Sequence, residues 1–486
     1  MKRRFEIDLS LRILLLFVCL LVLGLSPRPH AFDQALRQAT RSMAVGSPLK
    51  ASQALAQAAN LAPWRVDLWE QAGLYAFQGG ELQAAVGYLQ RAAAISPLSQ
   101  SGLITLGQAQ QQSGDLSAAF TTWEQAIDRY GPSEQVLQYR SQAFLEQGDY
   151  PAMLADLKAL AELRPEDAAL HHRLGLLLAA QDPPAAQAYL DQAAGLDERY
   201  QPAAVEIRRA VLSARFAEEP AYSLLATGRA LAALGEWSLA ARAFQQATTL
   251  RPDYAEAWAY LGEARQHANQ GTFLVDPASP GDGLTELHKA LELDPQSLSA
   301  HTFLALYYAR RGGFDLALET LRQAIALDPG NLALQVQLAG LLAASGDLYQ
   351  AREIYLQTLQ SAPQDPAYAR LLVQFCLDYD FEVDQTALPL ARQLAAQYPD
   401  DPANLDVMAQ VLIQQNDLHS ARRFLERALA LDNAFAAARL HLGQVYLLLG
   451  DRSSALQQLR QVISLAPGSS EAAQAQRLID DYLEEN

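Results

Sequence analysis

Four carboxylates alternate along Asp378–Asp384, DYDFEVD: Asp378, Asp380, Glu382 and Asp384. A calcium loop begins in this way, because oxygens on every second residue can converge on a hard cation. The EF-hand version also needs glycine at its sixth position and glutamate at its twelfth. Val383 and Pro389 stand there instead. The run therefore reads as a solvated acidic turn between helices rather than an ion site. His171 and His172 are the other metal candidates. Adjacent residues on a helix point to different faces, and no cysteine joins them, so they read as ordinary helix positions and no metal is expected. The chain has no G-x-x-x-x-G-K phosphate loop, no G-x-S-x-G and no H-E-x-x-H. No catalytic residue and no cofactor are expected, and the chain reads as non-enzymatic.

The elements that could position side chains are helices. Half of the 486 residues are hydrophobic, and the composition leans to the helix formers Ala, Leu, Gln, Glu and Arg without any run of β-branched residues. That composition favours an all-helical chain. Prolines then mark a period. Pro63, Pro97, Pro132 and Pro165 are spaced 34, 35 and 33 residues apart, and Pro295, Pro329 and Pro363 are each 34 apart. Between them lie Gly-Asp or Gly-Glu pairs, as at Gly114-Asp115, Gly148-Asp149 and Gly346-Asp347. Glycine can take the left-handed conformation that ends a first helix, and the acid can cap a second. Proline ends the second helix because it lacks an N–H and restricts its predecessor. A fixed period of this length predicts stacked helix–turn–helix units.

Within each period the residues resemble the tetratricopeptide repeat. Trp258, Leu261 and Gly262 open one unit; Gly228, Ala240, Phe244, Ala247 and Pro252 complete the unit before it. Leu304, Ala305, Tyr308, Ala317, Leu321, Ala324 and Pro329 carry another, and Leu442, Gly443, Tyr446, Ala455, Leu459 and Pro467 the last. The resemblance implies an all-α, right-handed α-solenoid (superhelix) of about twelve units across residues 31–469, followed by a C-terminal capping helix over 470–486. One extra helix is expected at 201–220 and an insertion loop at 266–283, QHANQGTFLVDPASPGDG. Its Phe273-Leu274-Val275 either tuck back onto the repeats or form a partner-binding tip.

The resemblance also implies a concave groove lined by the first helix of each unit, at its second, fifth, sixth, ninth, twelfth and thirteenth positions. Carried onto this chain, that pattern falls on Phe77 and Gln78, on Gln108, Gln111 and Gln112, and on Gln138, Tyr139 and Gln142. Further along it falls on His172, Arg173, Arg229, Tyr260, Phe303 and Arg310. The Lys, Asn and Arg set with which some members clamp a chaperone's terminal carboxylate is missing. The face from Gln71 to Gln142 is neutral and rich in amides, which both donate and accept hydrogen bonds. It suits a peptide backbone or a sugar, with Phe77 and Tyr139 available for stacking.

Residues 1–30 read as a signal peptide or membrane anchor. Lys2, Arg3 and Arg4 precede an apolar run from Ile13 to Leu25, and Ser26-Pro27 stops it. As a helix the run spans about 20 Å, short of a ~30 Å hydrocarbon core unless flanking residues join it. The sequence around it offers a poor cleavage site, which favours an uncleaved single-pass anchor in the cytoplasmic membrane over export after cleavage. Either way the basic end stays in the cytoplasm and the repeats are extracytoplasmic. The net charge is -17; without residues 1–30, 32 basic and 52 acidic residues remain, a balance of -20. Such a body repels phosphate backbones, so nucleic acid is not an expected partner. Cys19 and Cys376 form no disulfide framework. The function expected from these features is a scaffold that holds a partner protein or peptide in envelope, secretion or polysaccharide-export assembly. The alternative is a glycan-binding envelope protein using the glutamine and aromatic face.

Overall fold

The computed structural model describes residues 30–214, 219–268 and 281–482. The expected signal or anchor segment lies outside the described residues but for His30, and so do the centre of the insertion, with Phe273–Val275, and the last four residues of 470–486. Every regular element among the described residues is helical. The described residues divide into two compact units between Ala243 and Phe244.

The first unit contains α1 (His30–Ala44), α2 (Pro48–Leu61), α3 (Val66–Gln78), α4 (Leu82–Ile95), α5 (Gln100–Gln112), α6 (Leu116–Tyr130), α7 (Glu134–Gln147), α8 (Tyr150–Leu163), α9 (Ala168–Ala179), α10 (Pro183–Leu196), α11 (Gln201–Ala214) and α12 (Pro220–Ala233). The division falls inside α13 (Trp237–Leu250). The second unit continues with α14 (Ala255–Ala268), α15 (Leu284–Leu293), α16 (Leu298–Arg310), α17 (Phe314–Leu327), α18 (Leu332–Ser345), α19 (Leu348–Ser361), α20 (Pro366–Asp378), α21 (Leu388–Gln397), α22 (Pro402–Gln414), α23 (Leu418–Leu431), α24 (Ala436–Leu448), α25 (Arg452–Leu465) and α26 (Ser470–Tyr482). In chain order these make twelve helix–turn–helix pairs, with α11 between the fifth and sixth and α26 after the last.

The turn at Gly114 shows how a pair is made. Gly114 has φ +89°, a conformation side chains disfavour. Its N–H donates to the Gln111 carbonyl and the Asp115 N–H to the Gln110 carbonyl, each at 2.9 Å, which satisfies the exposed carbonyls ending α5. The Asp115 carboxylate then accepts the Ala118 N–H at 3.0 Å and caps α6. Inside the pair the helices approach closely. A Cβ on Gly107 would lie 2.2 Å from Nε1 of Trp123, whose side chain is fully buried.

In several pairs a second lock joins the first helix to the proline before it. The side chain six residues after the proline reaches back to the proline carbonyl. Trp69 donates to Pro63 at 3.2 Å, Trp258 to Pro252 at 2.8 Å and Gln335 to Pro329 at 3.0 Å. Nε2 of His171 lies 3.1 Å from the Pro165 carbonyl, and that of His301 lies 3.0 Å from the Pro295 carbonyl. A carbonyl only accepts, so this nitrogen carries the proton in both histidines. His171 therefore holds the place of a repeat tryptophan.

The extra helix α11 is shorter than the 201–220 stretch. Pro220 starts α12, because proline's missing N–H is harmless in a first turn. α11 buries Ala203, Ala204, Ile207, Ala210 and Ala214, a single face at helical spacing, against α10 and α12. The seventh pair keeps its first helix through Ala268, so residues 266–268 are helical rather than loop. At the end of the chain α26 packs on α25 through Ala472, Ala475 and Ile479, leaving its other faces to solvent.

Candidate functional site

Three helices of the first compact unit each turn one stripe toward a common cavity of about 440 Å³. α7 contributes Gln138, Tyr139, Ser141, Gln142 and Leu145, a stripe built on pairs three and four residues apart. α8 contributes Met153, Leu157 and Leu160, with Arg164 just beyond its end. α9 contributes Ala169, Leu170 and Arg173, preceded by its cap residue Asp167. First helices of neighbouring pairs touch where α3 meets α5 and α5 meets α7, but α7 and α9 do not pack against each other in this way.

The polar rim is partly satisfied and partly not. Arg164 pairs with Glu134 at 2.5 Å and with Asp167 at 3.5 Å, and Asp167 also accepts the Leu170 N–H at 3.0 Å. Below the rim Arg140 forks onto the buried Asp156 at 2.8 and 2.5 Å and ties α7 to α8. Gln142 reaches Glu146 at 3.4 Å, and Gln111 donates to the same carboxylate at 3.1 Å. The Gln138 amide, the Tyr139 hydroxyl and the Arg173 guanidinium have no partner among the described residues. Beside the cavity His172 stacks on Tyr200 with ring centroids 4.4 Å apart. Burial holds its pKa below the ordinary imidazole value. The lining thus offers amide hydrogen bonds, an apolar floor and one unpaired cation.

Four of the expected groove residues meet here: Gln138, Tyr139, Gln142 and Arg173. The others are distributed elsewhere. Phe77 packs on Ala76, Ala85 and Ala109. Gln78 and Gln112 are exposed, Gln108 is half-buried, and Arg229 is exposed on α12. In the second unit Tyr260 meets Phe303 edge-on at 5.0 Å and Phe244 at 5.5 Å. Arg310 is already engaged: it donates to Glu263 at 2.7 Å and to Gln266 at 2.8 Å, and lies 3.0 Å from Nε2 of His267.

Glu263, Gln266 and His267 were not among the expected residues, although a signal for them existed. They occupy the ninth, twelfth and thirteenth positions of their unit, the same positions that select Gln142 and Arg310. Around them Arg265 pairs with the buried Glu286 and donates to Gln245 at 2.7 Å, while Tyr307 and Arg311 both hold Asp282. These contacts fasten residues on either side of the insertion to α15 and α16. No sequence spacing announces them, because the partners come from opposite ends of an insertion of arbitrary length.

The acidic run Asp378–Asp384 forms a turn in which Asp380 and Glu382 take positive φ, +47° and +49°. Its carboxylates are held separately: Asp378 by Gln374 and Asp380 by Gln414, each at 2.7 Å, and Asp384 by Gln415, also at 2.7 Å. Glu382 pairs with Arg352 at 2.6 Å and accepts from Thr386 at 2.8 Å. Arg352 is the main reason its pKa falls below the ordinary carboxylate value. Among the described residues no group of His, Cys, Asp and Glu could hold a metal ion. No helix among them is long and apolar enough to cross a membrane.

Comparison with known proteins agrees with this architecture. Tetratricopeptide-repeat family models match residues 104–168, 228–267, 279–331, 308–375 and 412–479. The chain is 33% identical over 96 residues to Bacteriophage adsorption protein A of Escherichia coli (strain K12), which covers 20% of this chain and 10% of that protein. It is 30% identical over 118 residues to Superkiller protein 3 of Schizosaccharomyces pombe, covering 24% and 8% respectively. The chain therefore spans a tenth or less of the length of these curated relatives. Among solved structures it is similar to yeast Tom70, with a TM-score of 0.43, 15% identity, and coverage of 93% of this chain and 95% of that one. The matched segments together take in more than half of the chain, and it belongs to the tetratricopeptide-repeat family.

Proposed function

We propose that this protein is a non-catalytic scaffold that holds a segment of a partner protein on the first-helix faces of its repeats. The carrying observation is the convergence of Gln138, Tyr139, Gln142 and Arg173 on one open cavity. The partner side of the proposal places the repeats outside the cytoplasmic membrane, tethered through residues 1–30, in envelope, secretion or polysaccharide-export assembly. The basic start and apolar run of that segment support this placement.

The test is site-specific crosslinking with the full chain in cell envelopes. A photoreactive residue at Gln142 is expected to capture a defined envelope protein, identified by mass spectrometry. One at Gln90, exposed on α4, is expected not to. The variant Q138A/Y139A/R173A should lose the adduct. Equal capture from both positions, or capture unaffected by the triple variant, overturns the scaffold reading. Alkaline phosphatase fused after Asn486 should be active only if the repeats are exported, so an inactive fusion overturns the location. The neutral-glycan alternative is addressed by titrating the same protein with neutral oligosaccharides. The apolar floor and the unpaired Arg173 favour a protein segment over a neutral sugar.

A further inference from the structure

We infer that the cavity between α7, α8 and α9 selects a short extended element of its partner in which an aliphatic residue is adjacent to an aspartate or glutamate. This rests on the scaffold reading and adds the chemistry of the bound segment.

The volume of about 440 Å³ falls within the range of small-ligand pockets. Its floor is aliphatic: Leu145 is half-buried and Met153, Leu157 and Leu160 are buried beneath it, so an inserted leucine or isoleucine side chain removes its own apolar surface from water against them. At the rim, the free amide of Gln138 can both donate to and accept from a peptide backbone.

The charges set the direction of the segment. Arg164 already has Glu134 and Asp167, and Asp167 has Arg164 and the Leu170 N–H. That leaves Arg173 as the cation of the lining without a counter-charge among the described residues. An uncompensated guanidinium in so acidic a chain is a place for a carboxylate, which its planar fork can bind through two parallel hydrogen bonds. At the opposite side Glu146 accepts from both Gln142 and Gln111. It repels a second carboxylate there, so the acidic residue lies toward α9 and the chain leaves over α7.

The experiment uses the full chain and three capped tetrapeptides, Gly-Leu-Asp-Gly, Gly-Leu-Lys-Gly and Gly-Ser-Asp-Gly, read by ligand-observed saturation-transfer NMR. The Leu-Asp probe is expected to bind saturably, about fivefold more tightly than the Leu-Lys probe, the scale of an exposed charge pair, and more tightly than the Ser-Asp probe, which has no aliphatic side chain to bury. Arg173→Glu should abolish that preference and favour the Leu-Lys probe; Arg173→Gln should remove the preference without reversing it. Ala169→Trp, on an exposed site of the lining, should block all three. Circular dichroism checks that the variants are folded, and Arg173→Gln keeps the question open to test if Arg173→Glu is not. Equal binding of the Leu-Asp and Leu-Lys probes to the wild type, or an unchanged preference in a folded Arg173 variant, overturns the proposal. If that happens while crosslinking from Gln142 still depends on Gln138, Tyr139 and Arg173, the scaffold reading stands and only the acid-and-aliphatic chemistry falls.

Discussion

Arg310 on α16 donates to Glu263 on α14 at 2.7 Å, and that carboxylate is only 9% exposed. A residue whose position suggests a contact for a partner is thus spent inside the protein, joining two first helices across the insertion. Arg310→Ala should leave the buried carboxylate without its cation and lower stability by about 1–3 kcal/mol. Thermal unfolding followed by circular dichroism measures this. Adding Glu263→Gln should restore part of the loss, because a neutral amide needs no counter-charge and still has Gln266 and His267 beside it. If Arg310→Ala melts like the wild type and instead weakens partner capture, Arg310 belongs to the binding surface.

Two glycines should respond in opposite senses to the same added methyl. Gly107→Ala drives a Cβ against the Trp123 indole and is expected to cost about 1–3 kcal/mol. Gly87 lies inside α4 with nothing within 4 Å of its added Cβ, so Gly87→Ala should stabilise by up to about 1 kcal/mol. Urea unfolding midpoints moving in the same direction would refute the close-approach argument.

Cys376 should be inert. It is fully buried, and burial, helped by Glu382, pushes its thiol pKa up to about 12. In a Cys19→Ser background, a chromogenic disulfide reagent at pH 8 is expected to give no thiol signal from the native chain and one equivalent after denaturation. Prompt reaction of the native chain would show that α20 opens readily.

Acid should weaken the turn around Glu382 and the anchor at Asp282. Both carboxylates have lowered pKa values in the folded chain, Glu382 chiefly through Arg352 and Asp282 chiefly through the Tyr307 hydroxyl. A lowered folded value means that the unfolded chain takes up protons first. The stabilisation is therefore complete above the ordinary carboxylate pKa of about 4 and is lost as pH falls through the lower folded values. Melting temperature should drop between about pH 5 and pH 3, and the drop should be shallower in Glu382→Gln and Asp282→Asn. Equal slopes in all three proteins would remove these two groups from the acid response.

The fold was legible because its determinants are local and repeat. Pro252, Gly262 and Ala247 each act within one or two helices of their own position, so spacing alone identifies their roles. His171 was harder to read. In sequence it reads as an ordinary helix position, and only its contact with the Pro165 carbonyl reveals the tryptophan-like lock.

What the chain determined by itself is the list of helices, their turns and the face each first helix presents, since these follow from a 3.6-residue period and the conformational limits of glycine and proline. What the tertiary structure decided is which polar residues on those faces stay free. Arg173 and Arg310 look alike in sequence, two arginines at the sixth and thirteenth positions of first helices. One stands without a counter-charge in the lining of the cavity, and the other is consumed because α14 and α16 are in contact. That difference depends on how neighbouring pairs pack, through contacts spanning up to 47 residues of sequence, and no local spacing encodes it.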